Sequence, residues 1–317
     1  MIRTKGAMLN SGINGEDVDP SAAAAVELTA RERIRLEFLP PPEPLRPFAT
    51  TFYSLRCDER EIHDCLPAAV GYLTVNLSGG GDLHFADGRS EPSLEAMFLT
   101  PTTAAVRIAL QGPWHMIGAA LSPLGWAALT GLHAGSVVDR VLPASQVLGS
   151  LADDLVQRLR DVAGDDSAQA AILAEVIGSR LRPVKPRHIQ IIQAIADWLS
   201  SGFDPPVSAL PERANYSIRQ VERLCERYFG VPPKQLARKY RALRVAAMLQ
   251  AGDTSPEQIA ALKELYFDQS HLIRDMRHYL GRTPNRIFDG SAPVLSATSS
   301  VRSYREVRPN FARIPGD

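Results

Sequence analysis

The apolar positions of this chain change rhythm once, from short runs to a helical period. From Thr50 to about Leu121 they come in short runs: Thr51 to Leu55, Gly71 to Leu77, Leu83 to Phe85, Ala96 to Thr100, Val106 to Leu110 and Trp114 to Leu121. Turn-forming residues lie between several of these, at Ser78-Gly79-Gly80-Gly81-Asp82, Asp87-Gly88 and Gln111-Gly112-Pro113. Runs of that length bounded by glycine and proline predict a small antiparallel sheet or partial barrel. The period then lengthens. Ser122-Pro123 reads as an N-cap and first helical position for a helix to Thr130. Val147, Leu148, Leu151, Leu155 and Leu159 form one helical stripe within 144–162, and a further helix is predicted over 168–181.

Arg182-Pro183-Val184-Lys185-Pro186 opposes any continuous helix and marks the expected boundary between two domains. Beyond it, Ile189 to Leu199 predicts a helix, and a short one is expected from about Ser208 to Ala214. Asn215-Tyr216 then serves as a turn. Ser217-Ile218-Arg219-Gln220 has the capping-box form that opens a helix at Ser217. Along that helix Val221, Leu224, Cys225 and Tyr228 recur at i, i+3, i+4, i+7, which leaves Arg219, Glu222, Arg223 and Arg227 largely off the buried stripe. Gly230 stops it, and Pro232-Pro233 opens a helix to about Gln250. The layout then repeats: a short helix from Ser255 to about Leu265, then one capped by Asp268 and running to Tyr279. Leu272, Met276 and Tyr279 face inward there, and Gly281 ends it. Two helix-turn-helix pairs joined by a helix of about 18 residues, roughly 27 Å at 1.5 Å per residue, can reach successive major-groove faces of one duplex.

The total charge argues the other way at first. Lys plus Arg and Asp plus Glu are each 35 in 317 residues, a formal net charge of zero. The balance is a cancellation: residues 1–184 carry net −7, residues 185–290 net +5 and residues 291–317 net +2. An acidic half joined to a basic half suggests a nucleic-acid contact in the basic part, though solvated helix faces would give the same sums. Hydrophobic content of 45% fits a globular protein. Three cysteines, Cys57, Cys65 and Cys225, are too few and scattered for a disulfide framework or a paired-cysteine zinc site, so a cytoplasmic compartment is expected. No apolar run has the length of a signal peptide core or a membrane span.

The segments SIRQVERLCERYFGVPPKQLARKYR and YFDQSHLIRDMRHYLGRTPNRI carry a resemblance that spacing alone does not supply. They are similar to the double helix-turn-helix of the AraC/XylS family of bacterial transcription regulators. Asp268-Gln269-Ser270-His271-Leu272 and Gly281-Arg282-Thr283-Pro284 fall where that family's signature has them. The resemblance spans Pro186 to Phe288. It implies that the second helix of each unit enters the major groove, with Arg219, Glu222 and Arg223 in the first unit and Gln269, Ser270, Ile273 and Arg274 in the second facing bases. The residue chemistry agrees: Arg pairs with guanine, Gln with adenine, Glu accepts from cytosine, and Ile meets a thymine methyl. Lys234, Lys239 and Arg282, near helix starts or on outer faces, are expected to hold phosphates. The sequence departs from the family at Cys225, where an aromatic is usual, at Pro211, commonly alanine, and at Asn215 and Leu265, where glycine is frequent. Cys225 reads as a small core residue, and Pro211 suggests a late or distorted start to its helix. Asparagine tolerates positive φ and leucine does not.

The first half resembles, more loosely, a sensory domain that accompanies such readers. The implied organisation is α+β: a tail over 1–30, a β-rich sensory or dimerisation domain with helices over 31–183, the double helix-turn-helix over 184–290, and a second flexible tail over 291–317. The implied function is a sequence-specific regulator, an activator more often than a repressor. Its partners would be promoter DNA, RNA polymerase, a second copy of the chain and a small-molecule effector, with no cofactor, metal or membrane. Enzymatic chemistry finds little footing. His63-Asp64-Cys65 has no nucleophile elbow or orienting partner and reads as a polar loop. His84 and His115 are isolated, and Gly79-Gly80-Gly81 lacks the Lys-Ser/Thr of a phosphate loop and reads as a hairpin turn. Two alternatives stay open: an interaction module without DNA specificity, and an enzyme using the β domain.

Overall fold

The computed structural model describes residues 33–251, 269–283, 286 and 292–300. Their architecture is α+β, with an antiparallel sheet in the first part and helices after it. The strands are β1 (Ile34–Leu39), β2 (Ala49–Cys57), β3 (Glu61–Leu66), β4 (Tyr72–His84), β5 (Ser90–Pro92), β6 (Ala96–Leu99), β7 (Val106–Leu121) and β8 (Val141–Pro143). The main order is β1-β2-β7-β4-β6-β8, with β3 on β7 and β5 on β4. The 16-residue β7 is the spine: its first half bonds β3, its second half bonds β2, and β4 runs along its other edge.

Two of the expected turns are not turns. β4 continues through Gly79-Gly80-Gly81 and β7 through Gly112-Pro113, with register shifts near Ser78 where the chains bulge. The glycines are there for close approach: a Cβ on Gly79 would stand 2.7 Å from the carbonyl of Gln111, and its φ is 72°. Asp87-Gly88 is a turn, closed by Phe85 N–H to Arg89 O at 2.8 Å. His63-Asp64-Cys65, expected as a loop, lies in β3 instead, and β1 adds a strand before the first expected run.

Side chains alternate across the sheet, and each face meets a different core. One face carries Leu73, Val75, Phe52 and Ile117 against α1 (Pro123–Thr130), α2 (Ser145–Leu148), α3 (Leu151–Asp161) and α4 (Asp166–Arg180). Ser122 caps α1 as its sequence implies, accepting the Gly125 N–H at 2.9 Å. The single helix expected over 144–162 is broken between α2 and α3 by Gly149, at φ 62°. The other face encloses Leu55, Ile62, Leu83, Val106, Ile108 and Trp114 in a second core.

After the proline-bearing break come α5 (Pro186–Ser200), α6 (Leu210–Ala214), α7 (Ile218–Phe229), α8 (Pro233–Ala251) and α9 (Gln269–Leu280). These share a third core around Trp198, Val221, Cys225, Tyr240 and Met276. A further helix, α10 (Pro293–Ser299), occupies the segment expected to be a flexible tail. Val294 enters the core inside the sheet, while Ala292 and Leu295 join the core of the helices. Burial of three apolar side chains gives this short helix its hold. The expected helix over 255–265, the Asp268 cap, the Leu265 turn and the tail over 1–30 lie outside the described residues.

Candidate nucleic-acid interface

The first unit forms as its caps dictate. A 3-10 turn at Val207–Ala209 precedes α6, so the helix start is displaced to Leu210-Pro211. Asn215 takes the left-handed conformation, φ 53° and ψ 44°, and turns the chain into α7. There Ser217 Oγ accepts from Gln220 N–H, and Gln220 Oε1 accepts from Ser217 N–H at 3.1 Å. Val221, Leu224, Cys225 and Tyr228 are buried, which leaves Arg219, Glu222 and Arg223 exposed along the opposite face. Cys225 is fully enclosed, and burial pushes its thiol well above the ordinary range, the state of an inert core residue.

In the second unit Met276 and Tyr279 are buried and Leu272 half-buried, so the helix presents Ser270 and Arg274 to solvent with Ile273 half-buried beside them. Gln269 is its first described residue. α9 is fixed to α8 by a carboxylate that sequence reasoning did not single out. Asp275, 2% exposed, accepts from Arg238 at 2.6 Å and from Arg241 at 3.1 Å, and Arg241 also reaches Asp204 at 2.7 Å. Arg244, fully buried, donates to the carbonyls of Leu199 at 2.7 Å and Gly202 at 2.8 Å, where a cation complements the end of α5. Neither residue differs in type from the surface charges around it. Only their places on the inner side of α8 and α9 distinguish them.

Among the expected phosphate contacts, Lys234 is exposed in the first turn of α8. Lys239 is not on an outer face. It is 3% exposed, and its Nζ donates to the carbonyls of Ala69 at 2.6 Å and Thr102 at 2.8 Å in the β-rich part. With its ammonium enclosed and bonded inward, Lys239 ties α8 to the sheet and is unavailable to a phosphate. Arg282 is half-buried beside Cys65, just past the end of α9.

Both α7 and α9 meet the β-rich part at their C-terminal ends. The Tyr279 carbonyl accepts from Ala68 N–H and the His278 carbonyl from Ala105 N–H, each at 2.8 Å, so the last turn of α9 finds its missing donors on the sheet's loops. Gly281, at φ 77°, lies so close to Cys65 that a Cβ would stand 2.8 Å from its Sγ. At the end of α7, a Cβ on Gly230 would stand 3.0 Å from Val138, and one on Gly135 3.0 Å from the Glu226 carbonyl. The exposed candidates Arg219, Glu222, Arg223, Ser270 and Arg274 lie in the first halves of their helices, at the ends opposite these contacts.

Within the β-rich part, the second core leaves a cavity of about 90 Å³ bounded by Tyr53, Thr74, Asn76, Trp114, Met97 and Thr298 of α10. Its polar groups pair with one another: Tyr53 with Thr74 at 2.8 Å, Trp114 Nε1 to Asn76 at 3.0 Å. No helix among the described residues is long and apolar enough to cross a membrane.

Residues 210–289 match the model of a family described as a helix-turn-helix domain. No curated protein matches the chain. Among solved structures, ToxT from Vibrio cholerae aligns over 80% of this chain and 97% of its own, with a TM-score of 0.42 and 10% identity. With its capped helices and shared core, the described part of segment 210–289 has the arrangement that a helix-turn-helix domain requires, in keeping with that match.

Proposed function

We propose that the chain is a sequence-specific regulator of transcription that reads the major groove of promoter DNA with α7 and α9. The carrying observation is that α9 is bonded to the sheet's loops by its C-terminal carbonyls, α7 packs its C-terminal end closely on Gly135 and Val138, and both helices bear exposed, hydrogen-bonding side chains on their opposite ends. A groove reader needs that arrangement, since base edges are met by the N-terminal part of a recognition helix while its other end is held. Arg219, Glu222 and Arg223 supply donors and an acceptor from one unit, and Gln269, Ser270, Ile273 and Arg274 supply a mixed set from the other. Lys234 serves the phosphate backbone.

In this reading the β-rich part over 31–183 senses a signal or forms a dimer, and 184–290 is the reader. A signal changes dimer geometry or the hold on the reader, and so alters recruitment of RNA polymerase, with activation the family's commoner mode. The cavity, about 90 Å³, is smaller than the roughly 300 Å³ of ordinary ligand sites. An effector of ordinary size would have to widen it, and Thr298 of α10 is part of its wall. The test is DNA affinity of the full chain by fluorescence anisotropy on a selected site. Arg223→Ala and Arg274→Ala should each cost about 1–3 kcal/mol and relax base preference at one position. Unchanged affinity in both variants would favour an interaction module that has lost DNA specificity.

A further inference from the structure

A second basic feature lies away from the reading ends, where the sheet meets the end of α9. Strand pairing sets Arg107 of β7 between Cys65 of β3 and His84 of β4. His63, two residues before Cys65 on β3, shares their face. Across from this row stand Arg277 in the last turn of α9, then Arg282 and Arg286 beyond it. Together these side chains line a groove of about 1020 Å³ between the sheet and the helix end.

Among the described residues that line the groove, four arginines face one carboxylate, Asp64, whose charge pulls on Arg282. Among the described residues, none of the four arginines makes an ion pair. Asp64, the one carboxylate on the wall among the described residues, is 4% exposed, and both its oxygens accept backbone N–H groups. Oδ1 accepts from Cys65 N–H and Oδ2 from Val294 N–H, each at 2.7 Å. Glu61 stands only at the rim, 3.9 Å from His63. The helix carbonyls that would repel an anion are occupied as well, since Tyr279 O and His278 O already accept from Ala68 and Ala105. Guanidinium groups present planar forks that fit phosphate oxygens two at a time. Four of them on opposing walls, with imidazoles on one side, exceed what a single phosphate can use.

We propose that this groove binds a small molecule carrying two or more phosphate groups, which bridges the sheet and the end of α9. A DNA backbone is the less suited occupant. Three of the basic groups, His63, His84 and Arg107, belong to the β-rich part, and the exposed reading residues Ser270 and Arg274 lie toward the other end of α9. Bound there, the molecule strengthens the docking of the reader on the sheet and so couples a soluble polyanion to the reader's freedom. The inference does not rest on the DNA-reading proposal, because its first readout contains no DNA.

The probe is inorganic tripolyphosphate, titrated into the full chain by calorimetry against chloride at matched ionic strength. The expected result is saturable one-to-one binding, weakened about tenfold in Arg107→Ala through loss of a charge-assisted contact. DNA affinity measured without the probe stays unchanged in that variant. In the wild type, the imidazole proton signals of His63 and His84 shift with the same saturation curve, a readout that stands if the variant fails to fold. Binding indistinguishable from the chloride control overturns the proposal. So does binding that Arg107→Ala leaves intact without imidazole shifts. A variant that weakens DNA binding and leaves tripolyphosphate binding untouched would assign the groove to the DNA backbone instead.

Discussion

Lys239 shows how far a single charged residue can depart from its surface role. Its ammonium is enclosed against two carbonyls of the β-rich part, and an enclosed cation persists only where such acceptors replace its water. Lys239→Met keeps the stem and removes the donor. We expect it to lower stability by about 2–3 kcal/mol, read by chemical denaturation, and to loosen α8 from the sheet. A loss confined to DNA affinity with stability intact would return Lys239 to phosphate binding. Asp64 behaves differently. Burial pushes its carboxyl up to about 6, against the pull of the Cys65, Val294 and Leu295 amides and of Arg282. The folded chain therefore takes up a proton between about pH 6 and 4 that the unfolded chain does not, so this contribution favours folding at low pH and fades as pH rises through about 6. It is worth about 3 kcal/mol. The stability of Asp64→Asn relative to wild type should rise by that amount from about pH 4 to 7, measured as paired denaturation midpoints. A difference independent of pH would contradict the burial account.

At the scale of elements, the second unit depends on Asp275. Removing its carboxylate leaves the guanidinium groups of Arg238 and Arg241 without their shared acceptor at the α8–α9 contact. Asp275→Ala should cost about 3 kcal/mol and raise amide exchange in α9 while α7 stays protected. Uniform exchange through both helices would show that the units are not independently held. The elements also divide by how legible they were. α1 and α7 could be placed from Ser122 and from Ser217-Gln220, because a cap is a local bond between residues three apart. Asn215 announced its turn for the same reason. β4 at Gly79–Gly81 and β7 at Gly112-Pro113 carry turn residues yet continue as strands. A bulge glycine and a turn glycine look alike until the partner strand is known, and the atoms that demand glycine at 79 belong to residues more than thirty positions away. α10 escaped because its apolar residues are few, and their burial depends on two cores assembled from distant segments.

Across the whole molecule, the neutral net charge conceals an acidic β-rich half and a basic helical half held together by hydrogen bonds to neutral backbone groups and by apolar burial: the Lys239 ammonium on two carbonyls, the two amides that cap α9, and the insertion of Val294. Of the site foreseen in the sequence, the proposed readers Arg219, Glu222, Arg223, Ser270 and Arg274 are exposed where helical periodicity puts them, since one turn fixes which face is free. Lys239 and Asp275 were opaque, because their partners lie on other elements. A reader with a modest excess of positive charge has limited non-specific grip, so base contacts must supply much of its selectivity, and its affinity must fall with salt. The central claim is that two units of one protomer read one duplex, spaced by the 19-residue α8. The most direct measurement is a footprint of the full chain on sites selected from random DNA. Two short motifs about 10 base pairs apart for each protomer are predicted; a single short motif for each protomer would contradict the account.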